Sequence, residues 1–68
     1  MNARTAIELN QLLIVDLIDS AKGMAERFKI TINEAIDRKV SSYVKYSKSG
    51  TQAVAWELRG EEAKKLIK

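Results

Sequence analysis

The segment Val44-Lys-Tyr-Ser-Lys-Ser-Gly-Thr-Gln-Ala-Val-Ala-Trp-Glu-Leu58 decides the fold. In its second half Val54, Trp56 and Leu58 alternate with Ala53, Ala55 and Glu57, the period-2 pattern of a half-buried strand. Val44 and Tyr46 can supply the inward side of a partner strand. Ser49-Gly50 offers residues that tolerate the positive φ of a tight turn. The pattern predicts a two-stranded β-hairpin over residues 44–58.

Upstream, the period is helical. Thr31-Ile-Asn-Glu34 is a capping box, with a hydroxyl placed to accept from the amide three residues on. It predicts a helix over residues 32–45, with Ile32, Ala35, Ile36, Val40 and Tyr43 inside and Val44 at the edge. Glu34, Arg38, Ser41, Ser42 and Lys45 face out. A short helix is expected over residues 23–28, with Met24, Ala25 and Phe28 inward, followed by a turn at Lys29-Ile30. A first helix is expected over residues 3–22. Ala3, Ala6, Ile7, Leu9, Leu13, Ile14, Leu17, Ile18 and Ala21 share one half of its surface. Asn10 falls inside that apolar arc, while Leu12 and Val15 sit among charges. They either pack under the rest of the fold or mark a partner surface. Beyond Gly60, acids lead and lysines close a last helix over residues 61–67, as the helix dipole prefers.

The chain has 68 residues, enough for one domain near the lower limit for independent folding. It has no cysteine and no histidine, which removes disulfides, thiolate metal sites and the commonest general base. Carboxylate pairs at Asp16/Asp19 and Glu34/Asp37 read as solvated faces. No glycine-rich phosphate loop, metal-ligand spacing or nucleophile elbow occurs. No enzyme, cofactor, metal or small-molecule substrate is therefore expected. The longest apolar run, Leu12-Leu-Ile-Val15, falls far short of the ~20 residues of a membrane span. No signal peptide is read at the N-terminus, so a cytoplasmic protein is expected.

The net charge of +3 is unevenly placed. Residues 1–21 hold one basic against three acidic side chains, and residues 22–48 hold seven against three. The positive excess thus lies on the segment containing the helix 32–45.

The order of helix, tight turn, capped helix and hairpin resembles the winged helix-turn-helix superfamily of small bacterial, archaeal and phage transcriptional regulators. Ala25 looks like the small residue that lets the two helices of the motif pack closely. Lys29-Ile30-Thr31 looks like its turn. The superfamily usually has glycine where Lys29 stands, so Lys29 must adopt a strained conformation or the turn must differ. Trp56-Glu-Leu-Arg-Gly-Glu-Glu-Ala-Lys-Lys-Leu66 is similar to the passage from wing to closing helix.

The resemblance implies a mainly α fold with a small wing, an α+β winged helix-turn-helix in one domain over residues 1–68. It implies sequence-specific binding of double-stranded DNA by a small regulator or repressor, with residues 32–45 as the reading helix. Arg38 is then the candidate for bidentate contact with guanine. Asn33, Ser41 and Ser42 are candidates for bases or phosphates. Lys45 suits phosphates, as do Lys48 and Ser49 at the implied wing tip. Glu34 and Asp37 count against DNA. Phe28, Tyr43 and Trp56 read as core aromatics.

So small a core also suggests a homodimer held chiefly by the first helix, with Asn10 a candidate for fixing its register. The alternative is a protein-interaction module on the same fold, docking through Leu12 and Val15 without binding DNA.

Overall fold

A computed structural model describes residues 5–67, which form α1 (Ala6–Phe28), α2 (Ile32–Lys45) and α3 (Gly50–Leu66). Each helix packs against the other two, and short turns reverse the chain between them. At 1.5 Å per residue α1 is about 34 Å long, which accounts for the 35 Å longest dimension.

The winged helix-turn-helix expectation is overturned, because the described residues contain no strand and the chain is an all-α three-helix bundle. The predicted hairpin over residues 44–58 divides into the end of α2, a turn and the first half of α3. Ser49 is not a hairpin turn residue but the N-cap of α3, its hydroxyl accepting from the amide of Gln52 at 3.2 Å. The Gln52 side chain reaches back to accept from the Lys48 amide at 2.9 Å. Together they form a variant of the capping box, which supplies partners at an otherwise bare helix start.

Tertiary packing favours this helix over the strand. An isolated two-stranded hairpin is marginal in water. As a helix, the segment brings Ala53, Trp56, Gly60, Ala63 and Ile67 onto one inner face at alternating spacings of three and four. Ala63 is fully buried, and Ile67 packs against the core. The strand-like alternation does not survive. Trp56 is half-buried, whereas Val54 and Leu58 are 54% and 62% exposed. The expected closing helix over residues 61–67 is therefore the second half of α3.

The separate helices expected over residues 3–22 and 23–28 are one continuous α1. The expected start at Ala3 lies outside the described residues, and Thr5 caps the helix by accepting from the Glu8 amide at 3.1 Å. Gly23 does not interrupt it, although glycine mid-helix costs about 1 kcal/mol relative to alanine. Ile14, Leu17, Ala21 and Ala25 are buried on both sides of that glycine and hold the helix together. Phe28 was expected inside but is 57% exposed, at the last turn of α1.

Lys29 ends α1 in the left-handed conformation, φ 56° and ψ 46°. It is the one non-glycine residue with positive φ among the described residues. The amide of Ile30 donates to the Ala25 carbonyl at 3.1 Å, the long-range bond of a Schellman motif. Ile30 packs against the core. The lysine thus takes the backbone role that glycine fills at lower cost.

Thr31 caps α2 as expected, accepting from the Glu34 amide at 3.0 Å. At the other end of α2 the Ser47 hydroxyl donates to the Tyr43 carbonyl at 2.6 Å. The core consists of Ile14, Leu17, Ala21, Ala25, Ala35, Ile36 and Ala63. Four of those seven are alanines, so the bundle closes by near approach of backbones rather than by bulk. Between α2 and α3, a Cβ on Gly60 would lie 2.8 Å from Cγ2 of Val40. No helix among the described residues is long and apolar enough to cross a membrane.

Candidate nucleic-acid interface

The capping of α2 and the burial of Ala35 and Ile36 set its rotation, and the remaining face turns to solvent. Glu34, Arg38, Ser41 and Lys45 recur at spacings of three and four and share one exposed strip. Ser42 borders it on one side. Asn33 and Asp37 border it on the other, and all three are exposed. Three of the seven residues predicted to meet DNA, Arg38, Ser41 and Lys45, therefore share one strip of a single helix, with Ser42 beside it and Asn33 on the opposite flank.

Lys48 and Ser49 are also exposed but do not form a wing tip. They sit in the turn between α2 and α3, and the Ser49 hydroxyl is engaged as a helix cap. Only Lys48 extends the positive end of the strip, just beyond Lys45.

The acids are disposed unequally. Asp37 accepts an ion pair from Lys64 of α3 at 2.5 Å. The hydrogen bond to Asp37 raises the Lys64 pKa above its usual 10.5, and partial burial offsets some of that rise. The carboxylate of Asp37 is thereby turned towards α3 and neutralised. Glu34 stays on the strip and forms no ion pair with Arg38 among the described residues. Arg38 is exposed with no ion-pair partner among those residues.

On the opposite side of α2 from this strip, where it meets α3, runs a ladder of rings and cations that the sequence did not announce. Lys39 Nζ lies 5.4 Å from the ring centre of Tyr43. Tyr43 stacks on Trp56 at 4.2 Å between centres and 28° between planes. The Arg59 guanidinium lies 4.6 Å over the Trp56 ring, and its Nε donates to Oδ1 of Asn10 at 2.8 Å. Asn10 is thus exposed and engaged with Arg59 of α3. Tyr43 and Trp56 are half-buried and occupied with each other, which accords with a structural role. Tyr46, one turn beyond Ser42, is 76% exposed, with Lys45 Nζ 5.7 Å from its ring centre.

Among the described residues no cluster of acidic side chains could hold a metal ion. The grooves between helices are open and shallow. One is lined by Leu13, Tyr43, Tyr46, Gln52, Trp56 and Arg59, and another by Asp37, Val40, Ser41, Glu57, Gly60 and Lys64. No protein-family model matches the chain, and neither a curated protein nor a solved structure is significantly similar to it.

Proposed function

We propose that the protein binds double-stranded DNA through the outer strip of α2, as a small cytoplasmic transcriptional regulator. The observation that carries this reading is the exposed and unpaired Arg38, set between Ser41, Ser42 and Lys45 while Lys64 neutralises Asp37. An α-helix fits the major groove, and a guanidinium there can bond O6 and N7 of one guanine together. Lys45 and Lys48 meet phosphates and set the register. Glu34 accepts from a cytosine N4 or keeps to the edge of the groove. One helix reads only a few base pairs, so specific control requires a second copy on an adjacent half-site.

A salt titration of binding to random and selected duplexes tests the proposal. Affinity for random duplex falls steeply as salt rises if phosphates dominate. Arg38→Ala costs roughly 1–3 kcal/mol on a selected site and relaxes preference at one position. Lys48→Ala weakens all duplexes alike. Equal losses on selected and random DNA for both variants, or no binding at low salt, reject it.

A further inference from the structure

Helix α1 turns a second surface to solvent, of opposite charge to the strip on α2. On the side away from Ile14, Leu17 and Ala21 lie Leu12 and Val15, exposed at 42% and 50%, with Leu9, 50% exposed, at the border of the two faces. Asp16 and Asp19 stand beside them, exposed and outside every ion pair of the described residues. Glu8 lies at the N-terminal end of the same strip. The described basic residues of α1, Lys22 and Arg27, come only after Asp19. Among the described residues of α1, the charges within the span of Leu12 and Val15 are therefore acidic, while Arg59 of α3 lies near Leu9 at its edge.

A second copy of this chain fits the strip poorly. Two-fold packing centred on Leu12 and Val15 is either antiparallel or parallel. Antiparallel, with Leu12 on Val15 of the other copy, it sets Glu8 against Asp19. Parallel, it sets Asp16 against Asp16. Like charges meet in both cases, at a cost. From Leu9 to Asp19 the strip is about 17 Å long and one helix wide. That is far below the ~800 Å² per partner of a stable dimer, but it suits a single docked helix.

We propose that this strip docks a basic amphipathic helix of another protein, with aliphatic side chains on Leu9, Leu12 and Val15 and lysine or arginine facing Asp16 and Asp19. Helix-in-groove recognition of this kind reads anchors at spacings of three and four, and the flanking charges select the partner and its orientation. The site is independent of the DNA-binding reading, since Arg38 lies on another helix.

The experiment uses the intact chain, amide-resolved NMR and two synthetic amphipathic peptides of about 18 residues, one of leucine and lysine, the other of leucine and glutamate. The leucine–lysine peptide shifts the amides of Leu12, Val15, Asp16 and Asp19, and the glutamate peptide leaves them in place. Asp16→Lys and Asp19→Lys each weaken binding roughly fivefold at low salt. The double variant transfers its preference to the glutamate peptide. Leu12→Glu abolishes binding while the helical circular dichroism and Arg38-dependent DNA binding persist. Shifts confined to another face, equal affinity for both peptides, or a solution dimer that Leu12→Glu dissociates overturns the proposal.

Discussion

Arg59 of α3 donates from Nε to Oδ1 of Asn10 on α1 at 2.8 Å, joining helices whose residues stand 49 positions apart. The same guanidinium lies over Trp56, which stacks on Tyr43 of α2, so two adjoining side chains of α3 link it to both other helices. The bond itself is exposed to solvent, so its net contribution is modest.

Asn10→Ala removes only the bond and should cost about 1 kcal/mol. Arg59→Ala also removes the cation–π contact and the packing of its stem, so about 2 kcal/mol is expected. In a double-mutant cycle by urea denaturation the two losses should be less than additive. Strict additivity would show that the bond contributes nothing.

Alanine should act with opposite sign at two glycines of the bundle. At Gly23 a new Cβ meets nothing within 4 Å, so Gly23→Ala gains helix propensity and stabilises by about 0.5–1 kcal/mol. At Gly60 it lies 2.8 Å from Cγ2 of Val40, a β-branched side chain that is stiff on a helix. The overpacking, about 1–3 kcal/mol, outweighs the same propensity gain. Gly60→Ala should therefore melt lower than the parent protein, and the addition of Val40→Ala should recover part of the loss. A higher melting temperature for Gly60→Ala would mean that α2 and α3 yield without cost.

Lys29 is exposed and left-handed, so Lys29→Gly relieves backbone strain without opening a cavity. It should stabilise the protein by about 1 kcal/mol, less the greater freedom of glycine in the unfolded chain. Lys29→Val, branched at Cβ, should destabilise it. Thermal unfolding that ranks valine above glycine would place the end of α1 in another conformation.

The Asp37–Lys64 pair sets an alkaline limit. The Lys64 pKa is raised in the folded state above its usual 10.5. Its contribution is thus complete below that ordinary value and is lost as pH rises through the raised one. The side chains are 28% and 64% exposed, so the pair contributes at most about 1 kcal/mol. The melting-temperature difference between the parent and Lys64→Met should hold constant from neutral pH to about 10 and then shrink. A difference that shrinks on acidification only as far as neutral pH would assign it to another group.

The sequence alone determined α2, because its signals are local. Thr31 and Glu34 stand three apart at the cap, and Ile32, Ala35, Ile36 and Val40 mark the inner face. The outward placement of Asn33, Arg38, Ser41, Ser42 and Lys45 follows from that rotation. Helical spacing set Leu12 and Val15 among charges but left open whether the rest of the fold covers them, and the tertiary structure leaves both exposed. Lys29 was marked by the glycine it replaces.

Only the tertiary structure decided the course of residues 44–58. Locally, Val54, Trp56 and Leu58 alternate as in a strand, and their bulk outweighs the alanines between them. The helical face Ala53–Trp56–Gly60–Ala63–Ile67 is built largely of small residues, which give little hydrophobic signal. Their value appears only when Val40 and the core alanines approach closely enough to need them. Ser49 and Gln52 carried a capping signature, but Ser49-Gly50 serves a turn equally well. Continuity of α1 through Gly23 was likewise settled at a distance, because burial of residues on both sides outweighs the glycine's local cost. The Arg59–Asn10 and Lys64–Asp37 contacts have no local spacing to betray them, since they exist only where separate helices meet.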